Sequence, residues 1–341
     1  MLLDFFAVEY TGHIRMTALK NSDRWVVYAT FERNGRPTRH ALAQLDHYRK
    51  LGFRSVVVDT SPIVDEARRE SWNRFADAWL QRENVGHDFG SYRAGIDHLV
   101  RHRGVRMSAI SLLLTNDSCF GPFSSLASIL EQVDRHDGGP KVVGITDSFE
   151  MAYHLQSYWL YFPAPSATVL VEFMAGMAIA ATRDEAIRDG ELALSSFAQD
   201  RGYELCSVLD VRTLHTRLRG STPWILSILQ FAASIASKRY RYSRKGDATC
   251  VRCMLRRRDA LLNFNPSIGF GVALVRSGLS PFLKRSLLRD NPYGDPSIAR
   301  LGCDVDALSN EEVAALLDIP QLPLMFNLSG SLQAAGSKAE A

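Results

Sequence analysis

Short runs of apolar and β-branched residues alternate along this chain with segments whose apolar positions recur at helical spacing. Residues 25–30 and 55–59 have the composition of buried strands, and between them Leu42, Leu45 and Tyr48 form one face of a helix. A strand, a helix and a strand joined by short loops predict a βαβ unit, whose strands are parallel and whose crossover is right-handed.

The same alternation continues to residue 211. Apolar or β-branched runs at 110–114, 141–145 and 205–211 predict further strands, and an alternating run at 153–162 predicts an edge strand. Between these strands, helices are predicted to carry the apolar residues of 72–79, 92–100 and 126–133, and to span 166–182 and 191–201.

These elements predict an α/β fold in three parts. A doubly wound, mostly parallel sheet takes up residues 1–215, a mainly helical C-terminal extension follows in 216–328, and a disordered tail rich in Ala, Gly and Ser occupies 329–341.

Composition narrows the class of protein. With 341 residues, of which 46% are hydrophobic, the chain can bury a full core, and its net charge of +3 does not favour nucleic acid as a partner. Five cysteines are too few for a disulfide framework, and Cys250 and Cys253 lack a second pair for zinc. Since the amino terminus has no basic, signal-like region, we expect a cytoplasmic protein.

Residues 222–258 predict that this cytoplasmic protein also contacts a membrane. The apolar run 224–236 is shorter than the ~20 residues that span a bilayer. A basic segment with interleaved tyrosines follows it and predicts peripheral contact with an anionic inner-membrane leaflet. The alternative is a solvated basic face of a folded domain.

Residues 84–91 form the first polar cluster with candidate chemistry, and a predicted helix follows them. Asn84, Gly86, Asp88 and Ser91 stand where glycines let a ligand approach the backbone, and the positive helix end suits an anionic or hydroxyl-rich partner. Asp88 or Ser91 can cap that helix. A capped loop without a ligand is the alternative.

The second polar cluster, Asn116, Asp117 and Ser118, follows the apolar run at 110–114. It therefore falls at a carboxyl end of the predicted sheet, where ligands of open α/β sheets bind. The Asp117 carboxylate is a candidate ligand for Mg²⁺ or Mn²⁺ on a pyrophosphate, because hard cations take oxygen ligands. A helix N-cap is the alternative.

The third polar cluster lies between 146 and 158. His154, Gln156 and Tyr158 combine imidazole, amide and aromatic groups, which predicts a platform for the acceptor sugar. An ordinary amphipathic edge strand is the alternative.

Several of these stretches resemble, in order, the signature stretches of the rhamnan synthesis protein F family, which comprises bacterial glycosyltransferases of polysaccharide assembly. The resemblance covers about residues 24–300 and rests on the stretches NVGHDFGSYRAGI, LLLTNDSCFGPF, GITDSFEMAYHLQSYWLYF, NPS and SGLSPFLKRSLLRDNP. It implies a GT-A-like fold and the transfer of rhamnose or a related deoxyhexose from a dTDP- or GDP-linked donor. The implied acceptor is a growing cell-surface polysaccharide, a lipopolysaccharide or a lipid-linked glycan.

The resemblance also implies roles for single residues. Thr30 and Asp59 would flank the nucleotide base, and Asp88 and Arg93 would line the donor site. Residues 116–118 would replace the Asp-x-Asp metal motif of GT-A enzymes, but only Asp117 is acidic there, which puts dependence on Mg²⁺ or Mn²⁺ in doubt.

A catalytic base is implied by the segment 190–203, which resembles the acid-opened helix ending in a Gly-aromatic pair of inverting GT-A enzymes. Glu191 would open that helix near its positive end and take the acceptor proton. A glutamate that only complements the helix dipole is the alternative, and Asp147 and Glu150 are rival bases.

Two other classes of protein remain as hypotheses. A non-catalytic glycan-binding module would keep the aromatic residues and would not need Glu191. A nucleotidyltransferase or Rossmann dehydrogenase would need a phosphate-binding fingerprint after the first strand, and residues 30–35 lack G-x-G-x-x-G.

Overall fold

A computed structural model describes residues 24–33, 37–62, 65–135, 139–149, 151–211, 214, 265–290 and 304–320. The described residues form two compact units that interleave along the chain. The first unit comprises the described parts of 1–117 and 161–191, and the second comprises those of 118–160 and 192–341.

The first unit contains a parallel sheet in the order β3-β2-β1-β4. The two central strands pair in register from Arg24 with Phe53 to Thr30 with Asp59. Their side chains from Val26 to Tyr28 and from Val56 to Val58 are fully buried, as apolar runs covered on both faces require. The strands are β1 (Arg24–Thr30), β2 (Phe53–Asp59), β3 (Ala78–Gln81) and β4 (Ser111–Asn116).

Three helices alternate with the strands of the first unit. They are α1 (Arg39–Lys50), α2 (Glu66–Asn73) and α3 (His87–Asp97), and a π-helical turn His98–His102 and a 3-10 turn Met107–Ala109 follow α3. Helices α1 and α3 lie in predicted amphipathic segments, whereas α2 ends at Asn73, near the start of the segment predicted as a helix at 72–79. Gly95 lets α3 approach the sheet closely, because a Cβ there would lie 2.4 Å from Cγ1 of Val27. This contact packs the last turns of α3 against β1.

In the second unit, β6 is the central strand. It pairs in parallel with β9 and antiparallel with β7, and a separate antiparallel pair joins β5 to β10. The strands are β5 (Cys119–Phe120), β6 (Lys141–Ser148), β7 (His154–Leu155), β9 (Glu204–Leu209) and β10 (Leu283–Lys284). Another strand, β8 (Trp159–Phe162), contains residues of both units, because the division between them along the chain falls after Leu160.

The remaining elements are mostly helical. An apolar cluster that contains Phe120, Leu283 and Val313 packs the β5–β10 pair against helices of the second unit. The remaining helices and turns of both units are, in chain order, α4 (Ala127–Arg135), α5 (Thr168–Gly176), α6 (Arg183–Glu185), a π-helical stretch Ala186–Leu192, α7 (Ala193–Asp200), α8 (Pro266–Gly269), α9 (Gly271–Arg276), α10 (Arg285–Asp290), a 3-10 turn Val305–Ala307 and α11 (Asn310–Leu316).

Three predicted elements differ from the structure. Trp79 lies in β3 instead of a helix, because the chain leaves α2 and Asp77 accepts the backbone N–H of Ser55 at 2.8 Å, which draws the next residues onto the sheet. The alternating run 153–162 forms two short strands whose polar residues are buried. The helix predicted at 191–201 begins earlier, at a Thr182–Glu185 capping box.

The prediction of an α/β fold with a mostly parallel sheet is confirmed. The helical extension is described only in 265–290 and 304–320, and the disordered tail, the Cys250–Cys253 pair and the segment 222–258 lie outside the described residues. Among the described helices, none combines the length and the apolar character needed to cross a bilayer.

Candidate functional site

The carboxyl ends of β1, β2 and β4 lie at one edge of the first unit's sheet. Thr30 pairs with Asp59, and Ala29 pairs with Asn116. The polar residues that end these strands are therefore neighbours, as parallel pairing of the apolar runs predicts.

Asp117, directly after β4, fixes the end of β1. Its Oδ2 accepts hydrogen bonds from the hydroxyl of Thr30 and the backbone N–H of Phe31, each at 2.9 Å. The carbonyl oxygen of Asp117 lies 3.2 Å from Nε2 of buried His40. The half-buried carboxylate of Asp117 thus joins the two loops that leave β1 and β4.

The start of α3 combines a helix N-terminus with left-handed backbone. Gly86 is the N-cap residue, with φ +80°, and His87 has φ +52°. Asn84 and Asp88 are exposed at this end. The helix has no side-chain cap, so the prediction that Asp88 or Ser91 caps it is wrong. Its positive end and exposed polar groups suit a ligand with negative charge or hydroxyl groups.

Arg82 is a residue of this region that the sequence interpretation missed. Its guanidinium group donates to the carbonyl oxygen of Val85 and, at 3.3 Å, to the hydroxyl of buried Ser91. Gly90 makes room for it, because a Cβ at residue 90 would lie 3.1 Å from Nη2 of Arg82 and 2.3 Å from the carbonyl oxygen of Val85. Arg82 therefore holds the loop before α3, and Ser91 is one of its supports.

Asn116 connects the strand ends to α3. Its Nδ2 donates to Oδ2 of Asp88 at 2.8 Å, and its side chain also hydrogen-bonds with Tyr92. Tyr92 is fully buried. Burial, followed by the negative charges of Asp88, Glu191 and Asp117, raises the pKa of Tyr92 well above its usual value, so the phenol is neutral and serves as a hydrogen-bonding group.

Glu191 reaches the same cluster through a close contact between two elements of the first unit. A Cβ at Gly190 would lie 2.5 Å from Cδ2 of Phe89 on α3, so only glycine permits this approach. Half-buried Glu191 follows directly, within electrostatic range of Tyr92. It does not open a helix, since it lies in the π-helical stretch Ala186–Leu192, a type of distortion that is frequent at functional sites.

Asp59 has a different environment from the one expected for a base-binding residue. It is fully buried, and its carboxylate accepts from Nε of Arg68 at 2.5 Å, Nη2 of Arg68 at 2.9 Å and Nε1 of Trp72 at 3.0 Å. The backbone N–H of Ser61 donates to it as well, at 3.0 Å. These bonds identify Asp59 as an internal anchor of the strand end.

Arg93, the other donor-site residue implied by the resemblance, is half-buried on α3. Its Nη1 donates to the carbonyl oxygen of Met177 at 3.3 Å. Its guanidinium group therefore connects α3 to the chain after α5.

The predicted acceptor residues His154, Gln156 and Tyr158 are buried in the second unit. The Thr146 hydroxyl donates to Oε1 of Gln156 at 2.5 Å and lies 3.1 Å from the hydroxyl of Tyr158. Nδ1 of His154 lies 2.8 Å from the carbonyl oxygen of Ala152. The expected open sugar platform is therefore an internal polar network in this unit. Glu150 lies outside the described residues.

Asp147, a rival candidate base, is also buried, and its Oδ1 accepts the backbone N–H of Val211 at 2.8 Å. Burial, opposed by that hydrogen bond and reinforced by the charge of Asp210, raises the pKa of Asp147 to about 7. Because ordinary aspartate has a pKa of 3.8, the folded chain retains a proton that the unfolded chain has lost. This contribution to stability is complete below pH 3.8 and disappears as the pH rises through about 7.

We expect Asp147→Asn to remove this pH dependence, since the amide keeps an acceptor for Val211 without the charge. From pH 5 to pH 8 the variant should gain about 2 kcal/mol in free energy of unfolding relative to the wild type. Urea denaturation at both pH values measures this difference. A constant difference would show that Asp147 is ionised in the folded protein throughout.

A divalent cation at Asp117 fits the described residues poorly. Oδ2 of Asp117 already accepts two hydrogen bonds. Within the described parts of the chain, no three His, Cys, Asp or Glu side chains converge so that they could hold a metal ion. Asp117 instead serves the described structure as a hydrogen-bond acceptor for the end of β1.

Comparison with known proteins shows which family this chain resembles. The model of the family "Rhamnan synthesis protein F" matches residues 56–227, half of the chain. A virulence protein, VirA, from Vibrio anguillarum is 29% identical over 228 residues, which are 65% of this chain and 66% of that protein. An uncharacterized protein, y4gN, from Sinorhizobium fredii is 25% identical over 171 residues, 48% of this chain and 43% of its own length.

The fold and the site define an α/β protein with its polar cluster at the carboxyl ends of parallel strands. The chain belongs to the rhamnan synthesis protein F family. The description of the family names the synthesis of rhamnan, a polysaccharide.

Proposed function

We propose that this chain is a glycosyltransferase that moves a sugar, rhamnose or a related deoxyhexose, from a nucleotide-sugar donor to a growing cell-surface glycan. The observation that carries the proposal is the arrangement around Tyr92 in the first unit. One buried phenol there is influenced by Asp88, Asp117 and Glu191, beside the ends of parallel strands and the start of α3. Such a strand edge is the usual ligand site of an open α/β sheet.

The proposed donor site uses the N-terminus of α3. Its peptide N–H groups and helix dipole favour the negative charge of a diphosphate, and left-handed Gly86 lets that group approach the backbone. The carboxylate of exposed Asp88, oriented by Asn116 at 2.8 Å, would accept hydrogen bonds from sugar hydroxyls.

The proposed reaction is a single displacement. The Glu191 carboxylate takes the proton of the acceptor hydroxyl while the hydroxyl oxygen bonds to the anomeric carbon. The bond from that carbon to the diphosphate oxygen breaks, and its electron pair leaves with the nucleoside diphosphate. Attack opposite the leaving group inverts the anomeric configuration.

We further propose that the protein works in the cytoplasm, in peripheral contact with the inner membrane, where a lipid-linked acceptor would be accessible. The basic segment proposed for this contact, within 222–258, lies outside the described residues.

Donor hydrolysis tests the function. We expect the full chain to hydrolyse one member of a panel of nucleotide sugars, with dTDP- and GDP-linked deoxyhexoses tested first. Glu191→Gln serves as the matched control, because it should bind the same donor without hydrolysing it. If calorimetry detects no binding and chromatography detects no hydrolysis across the panel, the chain is not a nucleotide-sugar enzyme.

A further inference from the structure

A second polar cluster lies at β5 and β10 in the second unit and contains a lysine that no part of the proposed mechanism uses. Lys284, in β10, pairs in register with Cys119, and the backbone N–H of Arg285 donates to the carbonyl oxygen of Ser118 at 2.9 Å. These bonds hold together two chain segments that are 166 residues apart in the sequence. The segments meet at Ser118, the residue that follows Asp117.

The ammonium group of Lys284 is held over an aromatic face. Nζ lies 4.5 Å from the ring centroid of Tyr158 and 3.5 Å from Oγ of Ser118. A 3.5 Å separation is long for a hydrogen bond, and a ring face offers no lone pair, so both contacts orient the ammonium group without neutralising it.

The ring beneath Lys284 is itself fixed. Because the Thr146 hydroxyl donates its only proton to Gln156, it accepts the hydrogen bond from the hydroxyl of Tyr158, at 3.1 Å. The ring of Phe282 packs against Tyr158 edge-on, with centroids 6.0 Å apart. Lys284 therefore sits on a preorganised surface, which reduces the entropy lost when its ammonium group binds a partner.

In the described parts of the chain, no carboxylate forms an ion pair with the ammonium group of Lys284. Its neighbour Arg285 is buried and pairs with Asp306 at 2.5 Å, whereas no described carboxylate lies within ion-pair distance of Nζ of Lys284. A half-buried positive charge without an acidic partner is unfavourable unless an anion supplies the missing charge. At position 118, moreover, the side chain facing this ammonium group is a hydroxyl and not a carboxylate.

We propose that Lys284, with Ser118 beside it and Tyr158 beneath it, is a binding subsite for phosphoryl oxygens. Resting on the proposed function, we assign the phosphoryl groups of a nucleoside diphosphate, the product that the transfer releases, as its natural ligand. Lysine binds phosphate as a point charge with three donors, and an ammonium group held in place loses little freedom when it binds a diphosphate. The protein itself supplies the positive charge of this subsite.

Calorimetric titration of the full chain in EDTA tests the subsite, with inorganic pyrophosphate, orthophosphate and a panel of nucleoside diphosphates as probes. We expect Lys284→Met to weaken pyrophosphate and nucleoside diphosphate binding by at least about tenfold, because hydrogen bonds to charged groups are worth about 1.5–3 kcal/mol. Tyr158→Phe keeps the ring face and should retain most of the affinity. Orthophosphate binding as tight as pyrophosphate binding would overturn the assignment to a diphosphate.

Lys50→Met is the matched control. It removes an equal charge from exposed Lys50 on α1, which pairs with Asp46 at 2.7 Å, and it should leave binding unchanged. If Lys284→Met binds as tightly as the wild type, the subsite is refuted while the proposed transferase stands. If pyrophosphate binding depends on Lys284 but no donor is hydrolysed, the transferase proposal fails and the subsite stands. No binding of any phosphate probe by the wild type would overturn both.

Discussion

Glu191→Gln is expected to lower the turnover of the sugar donor by about 10²–10⁴-fold, the usual contribution of general acid–base catalysis, while donor affinity stays near the wild-type value. Glutamine keeps the size of the side chain and removes its ability to take a proton. The contact between Gly190 and Phe89, which brings residue 191 to the Tyr92 cluster, is unchanged by the substitution. Initial rates at saturating donor, together with the donor dissociation constant, separate the two effects.

Asp189→Asn provides the matched control for Glu191→Gln. Asp189 lies in the same π-helical stretch, and its carboxylate pairs with Arg188 at 2.6 Å. Because the Arg188 side chain is exposed, this ion pair contributes little to the structure of the stretch. Its loss should therefore change turnover by less than about threefold. Near-normal turnover of Glu191→Gln would pass the role of base to Asp147 or Glu150, and an equal loss in Asp189→Asn would indicate a general effect of the stretch.

Three parallel strands of the first unit, β1, β2 and β4, were predictable because their signal is local, whereas β3 was predicted as part of a helix. Buried strands such as β1, β2 and β4 need continuous apolar runs, and the polar residues after each run mark the carboxyl edge. Parallel pairing then brings Thr30 and Asn116 to one edge whatever the surrounding helices do. This part of the candidate site follows from pattern and topology alone.

The partners of the polar residues were not predictable in the same way. Asp59 and Asp117 both end apolar strands, yet Asp59 is buried against Arg68 and Trp72 whereas Asp117 is half-buried beside Thr30. The burial and the partners of each aspartate depend on which side chain of a neighbouring element reaches the end of its strand. Strand periodicity contains no information on that choice.

Long sequence separation hid other features of the structure. Lys284 meets Ser118 only because β10 pairs with β5, and a two-residue strand has too little pattern to be predicted. Glu191 was expected to open a helix, but the capping box at Thr182 starts the helical segment eight residues earlier, at Arg183. A Thr-x-x-Glu signal at 182–185 was present in the sequence and would have given the right start.

Arg68→Met is expected to have the largest effect on stability. Arg68 and Asp59 are both fully buried, and their ion pair anchors α2 to the end of β2. Methionine has similar length and fills the volume, but it leaves the Asp59 carboxylate in the core without its cation. Removing one partner of a buried ion pair costs about 3–5 kcal/mol in free energy of unfolding, which urea denaturation at pH 7 would measure.

Two variants identify the cause of that loss. Arg69→Met removes the neighbouring arginine on the same helix, which pairs with exposed Glu66 at 3.2 Å, and should cost no more than about 1 kcal/mol. The double variant Asp59→Asn/Arg68→Met should recover part of the stability, because a neutral amide can still accept the Nε1–H of Trp72 without leaving a buried charge. Equal losses in Arg68→Met and Arg69→Met would mean that the buried pair contributes nothing beyond ordinary helix packing. A double variant as unstable as Arg68→Met alone would show that lost packing, and not the unpaired carboxylate, is the cause.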